Sequence, residues 1–229
     1  MENLSGLKKR IKKNMSTTEP LIAGNYYHIY NKGVNGINLF YSPDNYQHFL
    51  RKYDEHIEPI ADTFAWCLLG NHFHLLVRIK EVDEIVIDRI NRGKPLTGFE
   101  TLSGVEKEEK ITRLASKRFS NLFNAYAQAL NRQQGRQGTL FERPFRRKLV
   151  DSERYFRQLV VYIHSNPVHH GFTDNYKDYP WSSYGALVSV KPTKLHRNQV
   201  LGWFDGKGNF VDTHRQIIDF DFIDHLIIE

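Results

Sequence analysis

Between Gly24 and Asn31 the chain reads Gly-Asn-Tyr-Tyr-His-Ile-Tyr-Asn, a strand pattern ended by Lys32-Gly33 and the Asn35-Gly36 turn pair. Alternation along a strand puts His28 and Tyr30 on one face and Tyr27 and Ile29 on the other. Ser42-Pro43-Asp44 supplies a cap and a first-turn proline for a helix through about Ile57, with Phe49 and Tyr53 on one apolar stripe and Pro59 as its stop. A second strand is predicted over about Ala61 to Leu69. The apolar run resumes after Gly70-Asn71 and continues to Lys80, as one interrupted strand or as a tight hairpin. Residues 81 to 110 are charged and irregular and read as an insertion, with a short helix over Val82 to Ile90 and a loop from Gly93 to Glu109.

Ile111 to Arg132 carries Leu114, Phe119, Leu122, Phe123, Tyr126, Ala129 and Leu130 near helical spacing, and Gly135 lies just past its end. Gly138 to Val150 reads as a strand interrupted by Pro144 and therefore near a sheet edge. A further helix starts near Asp151 or Ser152, and Pro167 disfavours its continuation through Asn166. Tyr179 to Tyr184 places aromatics around Pro180 for core closure. Gln199 to Phe204 and the acidic-apolar tail Asp219 to Ile228 form an appendage or an interface. Strands followed by helices in this order predict an α+β chain, an antiparallel sheet with helices packed on one face.

Two stretches in this pattern carry candidate chemistry. In Asn71-His72-Phe73-His74-Leu75-Leu76-Val77, His72 and His74 point the same way while Phe73 turns into the core. Two imidazoles one pleat apart on a rigid strand can hold one divalent cation and leave positions open, although a solvated strand face also accommodates such a pair. In Tyr162-Ile163-His164-Ser165-Asn166-Pro167-Val168, Tyr162 and Asn166 lie four residues apart and share a helical face, so a phenol and an amide oxygen are offered together.

With these two motifs the chain resembles the single-tyrosine HUH transposases of bacterial insertion sequences, particularly the REP-associated tyrosine transposases. Weaker matches follow in the same order: Tyr27 to Gly33, Gly138-Thr139-Leu140-Phe141, and Tyr179-Pro180-Trp181-Ser182-Ser183-Tyr184, so that the resemblance spans roughly residues 24 to 185. Family members usually have proline where this chain has Gly70. The resemblance implies a ferredoxin-like fold, His72, His74 and Asn166 as ligands of a divalent metal, magnesium or manganese, and Tyr162 as nucleophile. It also implies cleavage of single-stranded DNA through a 5′-phosphotyrosine link with release of a 3′ hydroxyl. Gln158 stands one turn before Tyr162 and Tyr155 two turns before it, so one nucleophile per chain is expected.

Composition narrows the partner. The 229 residues are 40% hydrophobic and 13% aromatic, ample for a core, and the formal net charge of +6 with a pI near 9.3 suits an anionic partner such as nucleic acid. The densest basic cluster outside the first twenty residues is Arg143, Arg146, Arg147 and Lys148, interleaved with aromatics; with Lys32 it is the expected DNA surface. Residues 1 to 20 read as a basic flexible tail, 21 to 185 as the transposase-like domain and 186 to 229 as a C-terminal extension. One cysteine, Cys67, excludes an intramolecular disulfide framework and fits a reducing cytoplasm. No apolar run approaches the roughly 18 residues of a membrane span.

The expected activity is therefore metal-dependent cleavage and rejoining of single-stranded or hairpin DNA by a monomer or homodimer. The alternatives are a domesticated, noncatalytic binder of structured single-stranded DNA, which would not need Tyr162, and a metal hydrolase using the histidine pair and water. His164, His169 and His170 are candidates only for outer metal partners or phosphate contacts.

Overall fold

The computed structural model describes residues 19–91 and 102–216. Within them the chain runs β1 (Tyr26–Lys32), α1 (Pro43–His56), β2 (Ala61–Leu69), β3 (His72–Ile79), α2 (Val82–Asn91), α3 (Gly104–Gln133), β4 (Arg146–Val150), α4 (Glu153–His169), α5 (Tyr184–Val188), α6 (Arg197–Trp203) and α7 (Lys207–Arg215). The four strands form one antiparallel sheet in the order β2-β3-β1-β4. With α1 and α3 as the crossovers this is the ferredoxin-like arrangement implied by the resemblance, but helices cover both faces of the sheet and not just the one expected, because α4 packs on the face opposite α1 and α3.

Strand alternation divides the protein into two cores. Tyr27, Ile29, Phe73, Leu75 and Val77 face α1 and α3, where Phe49, Tyr53, Phe119, Leu122 and Tyr126 meet them. Leu76, Cys67, Leu69 and Val150 face the opposite way and are covered by α4 and by residues of α5, α6 and α7, including Leu187, Val200 and Phe210. The second layer decides the chemistry, because His28, His74 and Tyr162 lie on its side of the sheet.

Local departures from the sequence reading have clear causes. Gly70-Asn71 is a tight hairpin turn joining the paired residues Leu69 and His72, not an interruption in one strand. Helix α3 begins at Gly104, inside the segment expected to be a loop, because Ser103 and Glu106 form a capping box. Ser103 Oγ accepts from Glu106 N–H, and Glu106 Oε2 accepts from Ser103 N–H at 2.9 Å. The expected strand from Gly138 to Val150 is shorter: Phe141 makes an isolated bridge to Gly33, and β4 begins only at Arg146, past Pro144.

Helix α4 starts from a Ser152 cap and passes through Pro167 to His169, ending just short of Gly171, a residue of the kind that closes a helix. The closure lies beyond the proline. Gly171 N–H donates to Val168 O at 3.0 Å and Phe172 N–H to Pro167 O at 2.8 Å, with Gly171 at φ +69°, a Schellman motif that satisfies the last carbonyls.

Most of the basic tail, the acidic-apolar tail Asp219 to Ile228 and much of the loop expected after Gly93 lie outside the described residues. Among the described residues no helix is long and apolar enough to cross a membrane.

Candidate metal and nucleophile site

The site is assembled by pairing β1 with β3 and laying α4 across them. His74 pairs with Tyr30, and His28 sits on the diagonal, opposite Leu76. The diagonal contact brings His28 Nε2 to 2.9 Å from His74 Nδ1, with both rings buried. His72 and His74 have ring centroids 5.3 Å apart and nearly perpendicular planes. His72 Nδ1 donates to Asn71 Oδ1 at 2.7 Å, and this fixes the lone pair on Nε2. A sequence reading of the histidine pair does not reveal these two orienting partners, His28 and Asn71.

Asn166 enters from α4. Its Nδ2 donates to Tyr162 O at 3.0 Å, so its Oδ1 is the atom left to face the site. Asn166 Oδ1, His72 Nε2 and His74 Nε2 are all buried and make no hydrogen bond among the described residues. Asn166 stands beside His72 closely enough to favour its charged form, yet no aligned hydrogen bond joins them. Two lone-pair acceptors facing one another without a proton between them repel, and a cation relieves this. The candidate donor set is therefore two imidazoles and one amide oxygen; among the described residues no group of three His, Cys, Asp or Glu side chains could hold a metal ion.

The imidazoles are held neutral. Burial, with the charge of His170 second, pushes His72 down to about 3, partly offset by Asn166. Burial and then the neighbouring His28, His72 and His170 lower His74 well below the ordinary histidine value, and burial with Lys148 pushes His28 to about 3. Neutral imidazoles are the form that ligates metal.

Tyr162 belongs to this cluster. Its ring stands edge-on to His74 with centroids 5.4 Å apart, and 6.4 Å from His28. It is only 2% exposed. A cleft of about 390 Å³ opens over the histidine pair and is lined by Tyr30, Lys32, His72, His74, Arg146 and His170 among others, but not by Tyr162. Tyr30 stacks on His28 and on His74 in this cleft.

The expected DNA surface is divided by the pleat. Arg146 and Lys148 lie across from Tyr30 and His28, on the histidine side, whereas Arg147 lies across from Ile29 and reaches α3, donating to Ser116 Oγ at 2.8 Å. Arg143 is exposed on the α3 side, with Asn124 Oδ1 at 3.5 Å. Lys32 and Arg146 both reach Glu142, at 3.9 and 3.4 Å.

Of the other histidines, His170 stacks edge-on to His72 at 4.6 Å, while His164 is removed from the site. His214 Nδ1 must donate to the Phe210 carbonyl, so its Nε2 accepts from His164 Nδ1, whose Nε2 then accepts from Ser183 Oγ; Ser183 Oγ in turn accepts from Trp66 N–H. This buried chain pins α7 and α4 to β2 and leaves His164 no spare atom for a metal or a phosphate.

No family model matches the chain. A Haemophilus influenzae protein whose name places it among the REP-associated tyrosine transposases is 29% identical over 130 residues, covering 57% of this chain and 62% of that relative. A solved structure of a REP-associated tyrosine transposase bound to a REP hairpin superposes with a TM-score of 0.54 at 16% identity, over 78% of this chain and 88% of that one. The chain resembles the REP-associated tyrosine transposases. The structural likeness gives this chain the REP-associated tyrosine transposase fold, and the sequence match, which spans less than two thirds of the relative, adds the family resemblance.

Proposed function

We propose that the protein is a metal-dependent single-stranded DNA endonuclease and strand transferase that works through a covalent phosphotyrosine on Tyr162. The observation that carries this reading is the set of three buried polar atoms that make no hydrogen bond among the described residues, His72 Nε2, His74 Nε2 and Asn166 Oδ1, beside the Tyr162 ring. These three would hold a divalent ion, magnesium or manganese. Such an ion supplies Lewis acidity to a scissile phosphate and offsets charge on the leaving oxygen.

The chain's own groups account for the remaining requirements. His28 and Asn71 orient the two ligating imidazoles. Lys32 and Arg146 present positive charge at the mouth of the cleft, and DNA entry exchanges their contacts with Glu142 for contacts with phosphate. Arg143, Arg147 and Lys148 extend the positive surface around the edge strand. In the reaction the Tyr162 Oη–phosphorus bond forms as the phosphorus–O3′ bond breaks; the phenol loses its proton to solvent and the departing 3′ oxygen takes one up. Energy conserved in the new ester lets a later 3′ hydroxyl reverse the step without a nucleotide cofactor. Tyr162 and His74 meet within one chain, which supports a site complete in a monomer. The substrate class follows from the hairpin-bound neighbour, so structured single-stranded DNA is the substrate proposed.

Burial of Tyr162 favours a second reading, a noncatalytic binder of structured single-stranded DNA. A single experiment separates the two: a hairpin oligonucleotide with unpaired flanks is incubated with protein and Mn2+, and denaturing gels are scored for a protein–DNA adduct. An adduct that survives denaturation and maps to Tyr162 supports the transferase. Tight binding with no adduct under any divalent ion supports the binder.

A further inference from the structure

One ring docks the end of α4 on the turn between β2 and β3. Phe172, whose N–H closes the Schellman motif on Pro167 O at 2.8 Å, lays its side chain across Gly70. A methyl group added at Gly70 would meet Phe172 Cε1 at 3.2 Å and Cζ at 3.4 Å. Both fall inside the roughly 3.5 to 4.0 Å at which carbon atoms rest against one another. Gly70 does not have a positive φ, so its backbone does not call for glycine. The ring above it does.

Both sides of this contact are anchored. On the turn, the Gly70 carbonyl accepts from Leu39 N–H at 2.7 Å and from Phe40 N–H at 3.0 Å. Tyr179, with its ring centroid 6.2 Å from that of Phe172, donates through its hydroxyl to Leu68 O at 2.8 Å. On the helix, His170 N–H donates to Asn166 O at 2.9 Å, which ties the closing segment to the turn of α4 that carries the amide, and the His170 ring stands edge-on to His72. Phe172 is 44% exposed, so it adds little to the core, and neither it nor Gly70 is among the residues lining the cleft over the histidines. Its contribution is the separation it enforces between helix end and hairpin.

We propose that Phe172 is a positioning residue: its ring, stopped against Gly70, sets how closely the last turn of α4 approaches β3, and hence the spacing of Asn166 Oδ1 from His72 Nε2. The inference rests on the metal-binding reading above. Ligand atoms carried by two separate elements must meet one ion at distances held to roughly 0.2 Å. A larger residue at position 70 lifts the helix end, and a smaller one at 172 removes the stop. Either change misplaces the amide. The combined size of the two residues, and not either one alone, therefore determines the fit.

The test is a double-mutant cycle on Mn2+ affinity, measured by calorimetric titration of the full chain without DNA, comparing Gly70→Val, Phe172→Ala and the double variant with wild type. Each single variant is expected to bind Mn2+ about tenfold more weakly, the scale on which metal sites respond to loss of a group that orients a ligand. In the double variant the valine occupies room the ring has left, so the loss is expected to be smaller than the product of the two single losses. Losses that multiply, or a single variant that binds like wild type, overturn the proposal. Thermal melts separate positioning from plain stabilisation, which would lower the melting temperature and leave Mn2+ affinity unchanged. If Gly70→Val does not fold, Gly70→Ala takes its place, since its Cβ alone reaches the ring. His72→Ala keeps the two readings apart. Mn2+ binding that does not depend on His72 overturns the metal reading and this inference with it, whereas binding that depends on His72 but not on the ring overturns this inference alone.

Discussion

The ring of Tyr162 meets His74 edge-on, planes 87° apart and centroids separated by 5.4 Å, although the two residues come from a helix and a strand far apart in sequence. The contact exists because α4 crosses the face of the sheet on which the histidines alternate outward, and it places the one phenol implied by the family resemblance beside a histidine proposed to hold the metal.

Tyr162→Phe is expected to abolish the covalent adduct and to leave hairpin affinity within about twofold, since only one buried oxygen is removed. Peptide mapping of the wild-type adduct checks the assignment. A phosphopeptide containing Tyr30, which lines the cleft directly, would transfer the role to that residue.

Divalent metal is expected to raise the melting temperature of the wild-type protein, because a ligand that binds only the folded state stabilises it in proportion to the logarithm of its concentration over Kd. His72→Ala and Asn166→Leu should remove that shift and lower Mn2+ affinity at least tenfold in calorimetric titration. An unchanged metal-induced shift in both variants would refute the ligand assignment.

Arg146→Ala is expected to weaken DNA binding at low salt and to reduce the slope of log K against log salt by about one, as loss of one phosphate contact does. Arg147→Ala should do this and also destabilise the fold, since the guanidinium is half-buried and bonded to Ser116 on α3. Thermal melts without DNA separate the two variants.

Acid should destabilise the protein through its buried histidines, His214 among them. Burial pushes this residue down to about 4, opposed by its bond to the Phe210 carbonyl, whereas the unfolded chain titrates near 6.5. Between those values the unfolded state binds more protons. The stabilisation is therefore fully present above pH 6.5 and is lost as pH falls towards 4, by on the order of 3 kcal/mol for this group. Chemical denaturation across this window measures it, and His214→Leu should reduce the pH slope by one proton. Ser183→Ala tests the same chain at neutral pH: with Trp66 N–H and His164 Nε2 both left unpaired in the interior, it should cost about 2 to 5 kcal/mol.

Periodicity made much of this readable in advance. Phe49 and Tyr53 and the β3 alternation are short-range signals, and they located the sheet and its helices; the roles expected of His72, His74, Tyr162 and Asn166 came from the family resemblance. The basic cluster was also open to a closer reading, since adjacent residues of a strand must part company and Arg146 and Arg147 do. Ser103 and Glu106 were a capping signal available in the sequence for the early start of α3. His28 was not legible as a partner of His74, because the register of β1 against β3 is set by the whole sheet and not by either strand. The same holds for His164 and His214, whose bond depends on how α7 packs. Pro167 failed as a stop signal because the Schellman closure at Gly171 sustains α4 beyond it.

One hydrogen bond governs how the candidate centre can move. Asn166 is tied through Nδ2 to the backbone oxygen of Tyr162, so amide and phenol ride on the same turn of helix. Under the proposed mechanism, a shift of this helix turn that moves the phenol moves the Asn166 amide with it, so cation binding and placement of the nucleophile are coupled.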